Sequence, residues 1–390
     1  VQMDREKNFI RAITFYSNML KHSMEGGNNK DFLNAMERNG WSHVLCNEKE
    51  SGTPVSFEWN MDLNSEPIRY KFSFVTGDKP ESFHIVSEEM ESGSKEGYSL
   101  PYNYFSAHKD TLGKGRISTA TKKGAKNNRI SFDIKSNETI CSQFKDILLS
   151  NEKIYSSDVV RLNIASLMNA LENNFKSIFS YSSAQINTAK LRESADPKII
   201  SRFLKKDGTD FVNLFNYYKS SSLVWKKDFT DSFRALIHDI EDVDVVNYYD
   251  KLIMKMVKSG KEFDLSDVSE GTIKALILCM LFNSKLESKY SLLAIDEPEN
   301  NLHPAWQKVV GDWIVNSDCY EQCIVSTHSP DMLDMFTEVF KNRGDISVFV
   351  FDNNGKIKKI KYDDIRNDLI NWELGDLYRT NDPALGGWPW

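Results

Sequence analysis

The segment Leu292-Leu-Ala-Ile-Asp-Glu-Pro-Glu-Asn-Asn-Leu-His-Pro304 constrains the fold more than any other stretch of the 390 residues. A short, wholly apolar run suits a strand buried on both faces, as at the centre of a parallel sheet. Two carboxylates, Asp296 and Glu297, follow at once, at the C-terminal edge where open α/β sheets bind their ligands. Adjacent carboxylates in such a place need a cation or a proton to offset their desolvation. A second run, Gln322-Cys-Ile-Val-Ser, leads into Thr327-His-Ser-Pro330 and predicts His328 at the same sheet edge. Upstream, Val268-Ser-Glu-Gly-Thr-Ile-Lys-Ala-Leu276 sets Ser269, Glu270 and Gly271 at the start of a strongly apolar helix. Free amides and the positive helix end suit an anion there, and Gly271 would let a ligand approach the backbone. Taken alone, the same residues are simply a good N-cap.

The rest of the chain is read around that core. Phe9, Ile10, Ile13, Tyr16, Met19 and Leu20 recur at helical spacing. From Pro54 the pattern alternates, and the runs Val55–Met61, Ile68–Val75 and Phe83–Val86 predict an antiparallel strand meander. Between Lys109 and Arg129 basic residues (Lys114, Arg116, Lys122, Lys123, Lys126, Arg129) are interleaved with Gly, Ser, Thr and Asn. A solvated hairpin or loop competes there with a phosphate-backbone contact. Helical periodicity predicts helices over 158 to about 180 and 226 to about 258. The C-terminal part alternates helix (270–282), strand (291–296), helix after Pro304, strand (322–326) and strand (346–351). The expected domains are therefore 1–150, a partial nucleotide-binding lobe with the meander; 151–264, a mainly helical lobe; and 265–390, the core with its C-terminal strands and tail. The fold class is α/β, mostly a parallel sheet flanked by helices.

Composition narrows the setting. Forty-nine basic and 56 acidic residues leave a net charge of −7, which excludes a generally basic nucleic-acid coat. No long apolar run or signal-like opening supports membrane spanning or secretion, so a cytoplasmic location is expected. Five scattered cysteines argue against a disulfide framework, and the Cys319/Cys323 pair has no second pair to complete a zinc site.

Ser269 to Thr272, Asp296 to Pro304 and Thr327 to Pro330, in this order, resemble the signature motif, the Walker B motif with its D-loop, and the switch histidine of ABC-type ATPases. The likeness is to the branch of the OLD (overcoming lysogenization defect) family and of SMC and DNA-repair ATPase heads. Asn8-Phe-Ile-Arg-Ala-Ile resembles the helix after a P-loop, and the ending Leu374-Gly-Asp-Leu-Tyr-Arg-Thr-Asn fits the same group. The resemblance implies ATP and Mg²⁺ as cofactors, with Asp296 holding the Mg²⁺ water shell. Glu297 would act as general base or orienter for the attacking water, and His328 would bond the γ-phosphate or attacking water. Ser269, Glu270 and Gly271 of one head would face the nucleotide of the other in a head-to-head homodimer, with Asn300 and Asn301 at the seam. Closure would gate a partner, a nuclease on a separate chain, with DNA as a further contact, in anti-phage defence or DNA maintenance.

One departure qualifies this expectation. The 390 residues contain no Gly-x-x-x-x-Gly-Lys-Ser/Thr, and Arg5-Glu6-Lys7-Asn8-Phe9 stands where the family has Gly-Lys-Ser-Asn-Phe. The P-loop strand region is expected to be absent with it. Either the chain begins just after a P-loop, which the retained Asp296, Glu297 and His328 favour, or it is a degenerate homologue. Weak or no ATP hydrolysis is expected of the chain as written. The alternative function is an ATPase-like scaffold that binds a protein partner or DNA.

Overall fold

The computed structural model describes residues 10, 12–14, 52–75, 84–93, 101–108, 113–120, 129–135, 138–284, 289–351 and 357–385. They fall into two compact units, Ile13–Ser177, and Ile178–Trp390 together with Val1–Ala12. The boundary at 177/178 differs from the expected ones at 150 and 264.

In the first unit, six strands pair antiparallel in sequence order: β1 (Val55–Leu63), β2 (Glu66–Val75), β3 (His84–Ser92), β4 (Asn103–His108), β5 (Lys114–Ser118) and β6 (Arg129–Asp133). The expected meander is thus present and longer than its sequence pattern. Asn64 and Ser65 take left-handed φ of 53° and 62° in the two-residue turn between β1 and β2, the conformation that matches the twist of a tight hairpin. Alternate side chains of β2 (Ile68, Tyr70, Phe72, Phe74) are buried, and Phe175 meets Trp59 and Tyr70 edge-on. Glu88 lies fully buried in β3 and accepts from Tyr70 Oη at 2.8 Å. It also accepts from the amides of Ile140 and Cys141, the first of helix α1 (Ile140–Ser150). Burial pushes the Glu88 carboxyl above the usual glutamate range, against the pull of these bonds. Helix α2 (Ala165–Lys176) follows a π-turn, Val160–Ile164, and ends before a strand, so the helix predicted to reach about 180 stops short. Of the basic segment, Lys114 and Arg116 lie on β5 and Arg129 on β6; Lys122, Lys123 and Lys126 lie outside the described residues, as does most of the predicted opening helix.

In the second unit, β7 (Ile178–Ser182), α3 (Phe211–Ser221) and α4 (Leu223–Arg234) precede an antiparallel triplet, β8 (Ile240–Tyr248), β9 (Lys251–Lys258) and β10 (Lys261–Asp264). This corrects the helix predicted over 226–258 and the mainly helical lobe drawn around it. The chain turns at Tyr249 and Asp250, both left-handed, and Val243, Val245, Leu252, Met254 and Met256 then bury at alternate positions. Next come α5 (Glu270–Asn283), β11 (Tyr290–Asp296), α6 (Pro304–Asn316), β12 (Tyr320–Ser326), α7 (Pro330–Asp334), the hairpin β13 (Val348–Phe351) and β14 (Ile357–Ile360), and α8 (Leu374–Arg379). Residues 271–282 of α5 are all buried, as a helix apolar on every side must be.

The strands β12, β11 and β7 form a parallel sheet in that order, with β11 central and wholly apolar from Leu292 to Ile295. This is the α/β arrangement expected, but among the described residues the parallel part has three strands and the other sheets are antiparallel, so the expectation of a mostly parallel sheet is corrected. No helix among the described residues is long and apolar enough to cross a membrane.

Candidate functional site

Parallel pairing decides which side chains meet at the edge of this sheet. Asp296 ends β11 level with Ser182 on β7 and Ser326 on β12. Ser182 Oγ donates to Asp296 Oδ2 at 3.1 Å, and Ser326 Oγ to Oδ1 at 2.7 Å. The carboxylate is 6% exposed and held from both flanks. Neither serine is evident as a partner in the sequence, because each comes from a distant strand.

Beyond Asp296 the chain turns sharply. Glu297 has a left-handed φ of 49°, and its amide donates to the Ser326 carbonyl at 3.0 Å. A non-glycine residue in this region is strained, and such strain concentrates at functional sites. The turn delivers the Glu297 carboxylate to Asn300, whose Nδ2 donates to Oε2 at 2.6 Å, and to His328, whose Nε2 stands 3.8 Å from Oε1. Asp296, Glu297 and His328 therefore share one sheet edge, and Asn300, assigned from the resemblance to a dimer seam, bonds Glu297 within the chain.

Glu299 is a residue to which the sequence reading gave no role. Its Oε1 accepts from Thr327 Oγ1 at 2.7 Å and from the His328 amide at 2.9 Å, tying the turn after β11 to the loop after β12. Its Oε2 is buried and has no hydrogen-bond partner among the described residues. Burial, and then the nearby Glu297, push this carboxyl above the usual glutamate range, while the two donors oppose the shift. Ser329 Oγ in turn donates to the buried Gln307 of α6 at 2.5 Å.

The start of α5 meets the other end of the same turn. Ser269 caps the helix, its Oγ accepting from the Thr272 amide at 3.2 Å. Glu270 accepts from Thr188 Oγ1 at 3.1 Å and from Asn301 Nδ2 at 3.5 Å. A Cβ on Gly271 would lie 2.5 Å from the Asn301 carbonyl. The space assigned from sequence to an approaching ligand is thus occupied by the chain's own backbone, and Gly271 is required for that contact. Asn301, left-handed with φ 67°, makes this approach possible. The turn ends where His303 Nδ1 accepts from the Ala305 amide at 3.2 Å and Pro304 opens α6.

The donor set suits a hard cation held through one carboxylate and water. Asp296 and its two serine hydroxyls are all oxygen, and among the described residues no cluster of three or more His, Cys, Asp or Glu could cage a metal outright. Among the described residues Cys141, Cys279 and Cys323 form no disulfide.

Residues 8–334 match the family described as "AAA domain, putative AbiEii toxin, Type IV TA system". The "Retron Vc95 probable ATPase" of Vibrio cholerae serotype O1 biovar El Tor is 30% identical over 122 residues, 29% of this chain and 24% of that protein. The chain thus spans about a quarter of the curated relative it matches. Similar solved structures include "SMC head domain from Thermotoga maritima" (12% identity, 76% of this chain and 73% of that one, TM-score 0.29). Another is "Crystal structure of the SmcHead bound to the C-winged helix domain of ScpA" (12%, 76% of each, 0.36). A third belongs to "Structural biochemistry of ATP-driven dimerization and DNA stimulated activation of SMC ATPases" (17%, 40% of this chain and 98% of that one, 0.28).

Proposed function

The chain belongs to the AAA-domain family whose description names a putative AbiEii toxin and a Type IV toxin–antitoxin system, and from that premise we propose that it is a nucleotide-responsive ATPase subunit of a defence system. The observation that carries this reading is the seating of Asp296 between Ser182 and Ser326, with Glu297 and His328 at the same sheet edge. The names of the family and of the retron relative support the defence setting.

In this reading Asp296 would hold the water shell of Mg²⁺ on ATP, and the serine hydroxyls fix the orientation of its carboxylate. The metal, when bound, neutralises phosphate charge. Glu297 accepts a proton from the attacking water, with Asn300 fixing its carboxylate. His328 donates toward phosphate or water. Ser269 and Glu270 serve a second head across a homodimer, Gly271 lets the Asn301 backbone pack against them, and Asn300 and Asn301 lie near the seam. Opening and closing of that dimer gates a separate nuclease effector, with DNA as a further contact.

Sedimentation of the purified chain with ATP and Mg²⁺ tests this. A nucleotide-dependent dimer, prolonged by Glu297→Gln and lost in Ser269→Arg, is expected. A monomer unresponsive to millimolar nucleotide in all three proteins would overturn it. A second reading is a scaffold that binds a protein or DNA without using nucleotide. Its mark is partner binding that is indifferent to ATP.

A further inference from the structure

We propose that Tyr378, on the C-terminal helix α8, is a positioning residue that sets the tautomer and orientation of His328. The inference rests on the reading of His328 given above, and its test is separable from it.

The helix is anchored on the segment that follows His328. Leu374 is fully buried and its amide donates to Thr337 Oγ1 at 3.0 Å. The Gly375 amide donates to Asp334 Oδ1 at 2.7 Å, and a Cβ on Gly375 would collide with the Pro330 carbonyl and the Asp334 carboxylate. Arg379 pairs with Asp331 and Asp334 of α7, at 2.5 and 3.0 Å, and with Asp376 of its own helix at 2.9 Å. Because α7 begins two residues after His328, these contacts hold α8 in register with the histidine loop. Tyr378 Oη then stands 3.5 Å from His328 Nδ1.

The chemistry of the two ring nitrogens gives that placement a purpose. His328 Nε2 faces Glu297 Oε1 at 3.8 Å, and an ionised carboxylate only accepts. With that acceptor at Nε2, the tautomer of the imidazole that carries its proton on Nε2 is favoured, which leaves Nδ1 as an acceptor. The phenol hydroxyl is a donor placed to meet it. Contacts of this length tighten in many active sites when the reactant is present. The ending Leu374-Gly-Asp-Leu-Tyr-Arg is thereby given a role: glycine for close docking, arginine for the anchor, tyrosine for the histidine.

Long-range ¹H–¹⁵N NMR of the imidazole nitrogens in the full chain tests the proposal without nucleotide. The wild type should show His328 with its proton on Nε2. Tyr378→Phe keeps the ring and removes only the hydroxyl, so its Nδ1 resonance should shift toward the protonated-nitrogen position. Arg379→Ala keeps the hydroxyl, releases the anchor, and should shift the same resonance in the same direction. Identical His328 nitrogen shifts in wild type and Tyr378→Phe would overturn the proposal, whatever nucleotide does. Conversely, a shifted resonance in a protein that never responds to ATP would uphold the positioning role and remove the ATPase reading alone.

Discussion

The backbone amide of His328 donates to Glu299 Oε1 at 2.9 Å across 29 residues of sequence, and Thr327 Oγ1 shares the same oxygen. One carboxylate oxygen thus holds the loop after β12 against the turn after β11, while the other is buried without a hydrogen bond among the described residues. Desolvation raises the folded-state pKa of this acid above the usual glutamate range, near 4.5. The native state therefore binds the proton more tightly than the unfolded chain. Its contribution to stability is most favourable below the unfolded value and declines as pH rises toward the folded one. Glu299→Gln, which keeps an acceptor for both donors, should raise the thermal midpoint at neutral pH. The gain should shrink as pH falls below 4.5. Melting curves of the two proteins across that range check it; a gain that persists in acid would count against this account.

Gly271→Ala should destabilise the protein by about 1–3 kcal/mol, because the added methyl must displace the Asn301 carbonyl. Chemical unfolding monitored by fluorescence measures the loss. Hydrogen exchange should place the extra opening in residues 297–301. An unperturbed turn there would mean that the close approach is not what requires glycine.

Glu88→Ala should cost the first unit about 3 kcal/mol or more, since it removes the acceptor that two buried helix amides and the Tyr70 hydroxyl share. Glu88→Gln retains one acceptor oxygen and should lose much less. Calorimetry of both variants separates the missing bonds from the missing charge.

The fold and site were legible in the sequence to unequal degrees. The strand ending at Asp296, the strand ending at Ser326 and the helix from Glu270 stood out because unbroken apolar runs abut polar motifs, and all three lie within a residue or two of expectation. The hairpin of β8 and β9 was misread as helix. Phe229, Phe233, Leu236, Ile237 and Ile240 continue a helical spacing into it, and its turn uses left-handed Tyr249 and Asp250 where glycine would have signalled a break. Asp296, Glu297 and His328 were readable from motif order. Ser182, Glu299 and Tyr378 were not, because their partners lie 114, 29 and 50 residues away and meet them only through tertiary pairing.

Removing the flanking hydroxyls should act on the metal and leave the fold intact. Ser182→Ala and Ser326→Ala are each expected to weaken Mg²⁺-dependent nucleotide binding by about tenfold, the usual effect of losing a group that orients a metal-holding carboxylate. Calorimetric titration at several Mg²⁺ concentrations reads this directly. If affinity is unchanged in both variants, the cradle around Asp296 serves the sheet alone.

The bond between Ser182 and Asp296 also dates the site within folding. It spans 114 residues, so β7 cannot find β11 until all of that intervening chain has been synthesised and a large loop has closed. The helix from Glu270 and the antiparallel hairpin before it involve short separations and can form earlier. A growing polypeptide would therefore carry Asp296 and Glu297 exposed and unseated until β7 and β12 have closed on either side of Asp296.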